Sequence, residues 1–426
     1  MDVVVSARVL DVLYRGRLIG TLRDDGPVWS FNYDPAWIAA SDSFDLSPAL
    51  TRVQSVITDG GSLRPVQWFF DNLLPEEEAR TLLAREAHVD QADAFGLLQW
   101  YGAESAGALV LSVPGRVSLE GGLQPLPDEV LSGRIRNLPR RSLADGAPKR
   151  MSMAGAQHKL AVVLLDGDLY EPVGLSPSTH ILKPDHVHTD HYPHTVANEW
   201  FCMRIAAGVG LPVPAVLAKK VPEQVYLIER FDREGAWPDL QRLHVLDACQ
   251  LLSIDRIFKY QKSTPETFNQ LIQASRAKAM TRRSLFRWAV FNAVIGNGDA
   301  HLKNLSFFVR RAGVELAPHY DLVSTASYSE PGSWGRAELS VSMGAATRFG
   351  DLRRDDVLSF GKTLDLPQVV GEQLLDELLA AVHPVVARML EQATIEPAFA
   401  TDPGALRYLR VIAHGVVVDM CRQLAH

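Results

Sequence analysis

Nine consecutive residues, Gly296-Asn297-Gly298-Asp299-Ala300-His301-Leu302-Lys303-Asn304, bring a carboxylate, an imidazole, an ammonium and carboxamides together. The preceding stretch, 282–295, holds Leu285, Trp288, Ala289, Val290, Ala293 and Val294 and is apolar nearly all round. A helix with no polar face is buried on every side. The polar loop must therefore emerge from inside a core, and Gly296 and Gly298 allow a tight exit. Such a loop either builds a site or simply turns the chain, and the other motifs decide between these readings.

An Asp followed five positions later by an Asn is the spacing of a protein-kinase catalytic loop. Asp299 would accept the proton of an attacking hydroxyl, Asn304 would hold magnesium through its amide oxygen, and Lys303 is placed to approach a γ-phosphate. Seventeen residues on, Tyr320-Asp321-Leu322 offers a second metal carboxylate, without the Phe-Gly of the usual kinase motif. Upstream, Lys183 follows Ile181 and Leu182 at a strand end that could aim it at the α- and β-phosphates, and Glu199 on the next helix could pair with it. Ser152-Met153-Ala154-Gly155-Ala156-Gln157 is a small-residue loop before a strand, and backbone N–H groups in such a loop can cradle phosphate oxygens. Glu229-Arg230-Phe231-Asp232 ends a strand where a hinge would present backbone groups to adenine, with Phe231 against the base. Each motif has a plain structural reading alone: a solvent-facing lysine, a Tyr-Asp turn, a core phenylalanine. Their order favours ATP-dependent phosphoryl transfer.

Other classes are disfavoured. No G-x-x-x-x-G-K-[ST] and no G-x-G-x-x-G occurs; Gly208-Val209-Gly210 meets Val213 at the third glycine position. A net charge of −7 argues against nonspecific nucleic-acid binding by the whole surface. Cys202, Cys249 and Cys421 are far apart and odd in number, as expected of reduced thiols in a cytoplasmic protein. No signal peptide and no membrane-length apolar run is expected. His186, His188, His191 and His194 lie between a strand and a helix, in a polar stretch that reads as an exposed loop rather than a zinc site.

The 426 residues suffice for two or three domains. Residues 1–112 read as a small accessory α+β module: a meander over 8–34, then a helix from Pro75 with acids in its first turn. Residues 113–150, rich in Pro, Gly and Arg, read as a linker or draped loop whose basic run is solvated surface. A β-rich, ATP-binding lobe over 151–232 follows, with strands at 160–165, 179–183, 213–217 and 225–231 and a helix at 195–207. Residues 233–426 read as an all-helical lobe, with helices at 243–252, 266–276, 282–295, 368–382, 384–393 and 404–423. The fold class is α+β, two-lobed and kinase-like.

Taken together these motifs resemble the HipA family of bacterial serine/threonine kinases, toxins of type II toxin–antitoxin pairs. Ser152-Met153-Ala154-Gly155-Ala156-Gln157-His158-Lys159 is similar to the family's phosphate loop, with His158 where Glu is usual. His180-Ile181-Leu182-Lys183-Pro184, Asn198-Glu199, Glu229-Arg230-Phe231-Asp232-Arg233, Asp247-Ala248-Cys249-Gln250, Asp299-x-His301-x-Lys303-Asn304 and Tyr320-Asp321 follow in order. Phe70-Asp71-Asn72-Leu73-Leu74-Pro75 and Gly107-Ala108-Leu109 resemble the accessory module. The resemblance implies a kinase using ATP and Mg2+. Asp299 and Lys303 would be catalytic and Asn304 and Asp321 would bind metal. Ser152, Ala154, Gly155, Ala156, Gln157, Lys183, Glu229, Phe231 and His301 would line the nucleotide. It implies self-inactivation by autophosphorylation of Ser152 and a HipB-like helix-turn-helix antitoxin that carries operator DNA recognition. It also implies a protein substrate such as an aminoacyl-tRNA synthetase. A corepressor with secondary kinase activity and a small-molecule phosphotransferase are the alternatives.

Overall fold

A computed structural model describes residues 7–116, 120–151, 153–330 and 332–426. The chain forms two compact units: residues 1–182, 230–258 and 307–314 in one, and 183–229, 259–306 and 315–426 in the other.

The first unit opens with the expected meander. Arg8–Tyr14, Arg17–Asp24, Trp29–Tyr33 and Val56–Thr58 pair antiparallel in sequence order, and Leu109–Ser112 returns to pair with the first strand. The first hairpin turns on Arg15 and Gly16, with φ of 50° and 75°. Positive φ at both central residues matches the twist of the flanking strands, which is why glycine occupies the second position. Leu10, Val12, Leu22 and Phe31 bury one face of this sheet. Helices Pro65–Asp71 and Ala94–Tyr101 meet it through Phe31–Phe70 and Trp29–Phe95 ring contacts at 5.8 and 5.3 Å.

The helix expected from Pro75 begins at Glu77 and runs to Ala87. Pro75 instead forms an isolated parallel bridge with Gly155, and the Glu76 N–H donates to the Gly155 carbonyl at 3.2 Å. A tertiary contact claims the residues that helix propensity alone would have recruited. Residues 113–150 likewise hold more structure than their composition predicts. Gly121–Pro125 pairs along Asp168–Gly174, and Asp128–Arg136 is helical. Both escape pattern reading for physical reasons: the strand is a short edge rich in Gly and Pro, and the helix buries only Leu131 and Ser132. Nor is the basic run all solvated: Arg134 forks onto Glu171 at 2.6 and 3.0 Å, and Lys149 is buried.

Lys149 belongs to an ion cluster that organises this unit. The fully buried Glu104 carboxylate accepts from Lys149 at 2.6 Å, Arg233 at 2.9 Å, Arg230 at 3.1 Å, and from Arg242 and Ser178. Arg230 also forks onto Asp232 at 2.7 and 2.9 Å. Burial opposes ionisation of Glu104, but Arg242, Lys149, Arg233 and Arg230 hold its carboxyl well below the usual range. Burial pushes Lys149 down to about 8 against the pull of Glu104.

In the second unit, Val216–Lys220 and Gln224–Glu229 form a hairpin beside helix Thr195–Gly208. Helix Lys278–Val294 buries Leu285, Phe286, Trp288, Ala289, Val290 and Phe291 from its middle onward, as the apolarity of that stretch predicts, while Lys278, Ala279 and Met280 at its start are exposed. The expected break near residue 383 is absent: Gln368–Ile395 is one helix containing Pro384. Proline there deprives the Ala380 carbonyl of its partner, and Ala380 lies on the exposed side where water can replace it. The expected helix at 243–252, in the first unit, shortens to Ala248–Leu252 behind strand Val245–Asp247, because Asp247 and Gln250 close a capping box. The helical part of the chain also carries a short hairpin, Glu338–Met343 with Ala346–Arg348. No helix among the described residues is long and apolar enough to cross a membrane.

Replacing Glu104 by Ala should strand four buried cations against the single carboxylate of Asp232. Breaking a buried ion pair from one side costs about 3–5 kcal/mol, and this carboxylate serves several partners. The urea midpoint of Glu104→Ala should fall by at least that equivalent, whereas a near-wild-type midpoint would show the cluster to be energetically idle.

Candidate active site

Lys183 stands on strand His180–Pro184 and is 4% exposed. Its Nζ donates to Glu199 Oε1 at 2.7 Å, on helix Thr195–Gly208, and to Asp321 Oδ1. Burial disfavours the ammonium, but the Asp321 and Glu199 carboxylates outweigh it and raise its pKa well above the ordinary lysine value. Lysine, helix glutamate and Asp321 thus meet although 138 positions separate Lys183 from Asp321. The side chain of Asp185 accepts from the Val196 N–H at 2.9 Å and ties strand to helix.

Asp321 has a φ of 54°, left-handed and uncommon for a residue with a side chain. Strain of this kind persists only where neighbours enforce it. Asn198, fully buried, accepts from the Ser324 N–H at 2.9 Å and donates to the Ser324 carbonyl at 3.1 Å, which fixes the segment just after Asp321.

The loop at 296–304 leaves its helix as expected. Gly296 has a φ of 69°, and a Cβ there would lie 2.7 Å from Val416. Asn297, almost fully buried, is the organiser that spacing did not reveal. Its Oδ1 accepts from the Asp299 N–H at 3.0 Å, and its Nδ2 donates to Asn292 Oδ1 at 2.8 Å and, more weakly, to the Asp321 carbonyl at 3.5 Å. One carboxamide therefore touches the backbone of both carboxylate-bearing loops. Asn304 Nδ2 donates to the Asp299 carbonyl at 2.9 Å, which closes the loop and directs its amide oxygen elsewhere. Lys303 is buried, and its carbonyl accepts from Tyr320 Oη at 2.8 Å, which also meets Ser306 Oγ at 2.7 Å.

The Asp299 side chain is 55% exposed. The Tyr260 hydroxyl donates to its Oδ1, and the Tyr260 ring packs edge-on against His301 at 4.8 Å. His301 Nε2 lies 4.0 Å from the same carboxylate. Tyr260 sits between helices, outside any periodic segment, so no sequence signal marks it.

The remaining candidates divide between the two units. Glu229 ends its strand, with its N–H donating to the Ala215 carbonyl at 2.9 Å. Phe231 lies in the first unit, edge-on to Phe308 at 6.0 Å. The loop of Ala154, Gly155, Ala156 and Gln157 also belongs to the first unit. There Lys159 Nζ donates to the Ala154 carbonyl at 2.8 Å, and Gly155 has a φ of 107°. Ser152 lies outside the described residues. In the histidine-rich stretch His186 packs on Tyr192, which meets Tyr328. No group of three or more His, Cys, Asp or Glu arranged for a metal occurs among the described residues.

Comparison with known proteins identifies the family and the fold. Residues 151–386 match the HipA-like C-terminal domain and residues 10–112 the HipA N-terminal domain. The chain is 33% identical over 407 residues to the putative kinase Y4mE of Sinorhizobium fredii, covering 92% of this chain and 94% of that one. It is 31% identical over 336 residues to the serine/threonine-protein kinase toxin HipA of Shewanella oneidensis, covering 74% of each. Its fold is similar to that of a solved Shewanella oneidensis complex of HipA, HipB and operator DNA. The TM-score is 0.77 at 23% identity, covering 98% of this chain and 97% of the solved one. A buried lysine–glutamate–aspartate cluster beside an Asp-x-x-x-x-Asn loop, on a chain that both family domains match, places this protein in the HipA family of serine/threonine kinases.

Proposed function

We propose that this chain is a Mg-ATP-dependent serine/threonine protein kinase and the toxin of a type II toxin–antitoxin pair. The carrying observation is Lys183 held between Glu199 and Asp321. A lysine fixed in this way is a rigid cation for the α- and β-phosphates, and its glutamate partner keeps it from wandering. The Asp299 carboxylate takes the proton of the acceptor hydroxyl. The hydroxyl oxygen bonds to the γ-phosphorus as the bond to the β–γ bridging oxygen breaks, and ADP departs with that electron pair. Lys303 and Lys183 offset charge on the phosphates, and the pre-set loop supplies orientation.

Magnesium suits the donors at hand. The Asn304 amide nitrogen is spent on the Asp299 carbonyl, so its oxygen is the atom directed to a ligand, and Asp321 adds a carboxylate. Both are hard oxygen donors of the kind Mg2+ uses together with substrate phosphates. Asn304 and Asp321 would hold the ion, which supplies charge neutralisation on the transferring phosphoryl group.

The loop over 152–157 would cover the phosphates and Ser152 would be the self-modification site. A phosphate of about −1.5 to −2 charge beside bound ATP would repel the nucleotide. A HipB-like helix-turn-helix antitoxin is the proposed partner, with operator DNA read mainly by that partner. Similarity to a HipA solved with HipB and operator DNA supports this. The substrate would be a protein, a translation component such as an aminoacyl-tRNA synthetase. Cys202, Cys249 and Cys421, none of them in a disulfide, fit a cytoplasmic setting.

Asp299→Ala should lower phosphate transfer from labelled ATP about 100- to 10,000-fold, the usual worth of a general base, while ATP binding persists; undiminished transfer would remove Asp299 from this role. Ser152→Ala should prolong activity in a progress curve, and mass spectrometry of the wild type after ATP incubation should find phosphate on Ser152. An unmodified Ser152 after such incubation argues against self-inhibition there. The Tyr260 hydroxyl holds the position from which an acceptor hydroxyl would donate to Asp299. Tyr260→Phe should therefore lower KM for the protein acceptor about two- to tenfold, the worth of one hydrogen bond, with kcat preserved. A collapse of kcat with KM unchanged would show that the phenol assists the reaction instead.

A further inference from the structure

Four arginines converge on one cleft of the first unit, a space of about 570 Å³ between the end of helix Glu77–Ala87 and the segment 140–150. They are Arg85, Arg140, Arg141 and Arg150, in a chain whose net charge is −7. The acids of the cleft do not balance them. Both oxygens of Glu86 are taken by the Ser142 N–H and hydroxyl, at 2.6 and 2.7 Å. Asp145 lies 3.5 Å from Arg141, an exposed pair four positions apart. Among the described residues, no carboxylate pairs with Arg85, Arg140 or Arg150.

The cations are nevertheless positioned. Arg85 donates to the carbonyls of Pro139 and Arg140 at 3.3 and 2.7 Å. The guanidinium of Arg150 lies over the ring of Trp100, 3.6 Å from its centroid. A guanidinium seated over an indole is attracted by the ring and still has N–H groups to offer an anion. Holding like charges close together costs free energy that a bound dianion would recover.

The geometry points to a second ligand site in this cleft, lined by none of the residues of the lysine–carboxylate cluster, that takes a phosphate monoester. Guanidinium forks match phosphate oxygens two at a time, and several forks suit a dianion better than a lone carboxylate. The volume falls in the range of small-molecule pockets, about 300–1,000 Å³. That is room for a mononucleotide or a phosphorylated side chain with its neighbours, whereas a nucleic-acid duplex needs an extended basic stripe. Trp100 and Arg150 supply a flat wall on which a base could stack.

Calorimetric titration of the full chain tests this. The probes are AMP, a phosphoserine peptide with its unphosphorylated counterpart, inorganic phosphate, and single-stranded oligonucleotides of increasing length. Each is run against the wild type, Arg140→Ala/Arg141→Ala and Arg140→Lys/Arg141→Lys. Both residues are exposed, so thermal midpoint and kinase activity should stay at wild-type values. One class of phosphate-ester binding should weaken about tenfold or more in the Ala pair, the loss expected for one or two charge-assisted hydrogen bonds, and less in the Lys pair. If AMP shows the loss the source is a nucleotide; if the phosphopeptide shows it, a phosphorylated protein. Equal binding of every ester to wild type and Ala pair would overturn the assignment. So would an effect confined to oligonucleotides and growing with their length.

Discussion

One ammonium shut away from water, with a carboxylate on either side, is the contact around which the second unit is arranged. Lys183 is nearly inaccessible, and Glu199, itself 2% exposed, is its ion-pair partner at 2.7 Å. Desolvating such charges costs several kcal/mol per ion, so the arrangement survives only because backbone geometry holds all three groups in register. The strand delivers Lys183, the helix delivers Glu199, and a left-handed residue turns Asp321 inward. Asn198 and Asn297, neither of them charged, hold the backbone on which this alignment depends.

The first unit repeats the same physics with the signs exchanged. There a single buried carboxylate, Glu104, gathers Lys149, Arg230, Arg233 and Arg242. Glu104 falls in the stretch matched by the HipA N-terminal domain, while Arg230, Arg233 and Arg242 fall in the stretch matched by the C-terminal one. Within this unit the two sequence families share one ionic core, so the accessory segment completes the structure of residues it does not adjoin in sequence. The bridge from Pro75 to Gly155 makes the same connection through backbone.

Elements with a strong period were legible in the chain itself. The meander over 8–34, the strand at 160–165, the helix at 195–207 and the buried helix leading to Gly296 all occur near their expected bounds. Pairing of Lys183 with Glu199 was legible too, because a lysine at a strand end and a glutamate on the next helix are close in sequence. Weakly patterned pieces were not: the edge strand Gly121–Pro125 and the nine-residue helix Asp128–Arg136 carry almost no apolar period. Pro384 misled for a different reason. It signals a break, yet a long helix with a buried apolar stripe on either side tolerates one missing hydrogen bond.

Residue types and their order by themselves determined the chemistry on offer: a strand lysine, a carboxylate and carboxamide five apart, and a later aspartate. They could do so because each motif is local and polar groups of this kind stand out beside apolar segments. What only the tertiary structure decided is which polar groups act on one another at long range. Tyr260 reaches Asp299, Asn297 touches two loops at once, and Glu104 draws in cations from distant segments. Those contacts join residues with no shared period, so nothing in a linear pattern marks them. They arise because a buried charge or amide must find a partner, and folding alone determines which one comes within reach.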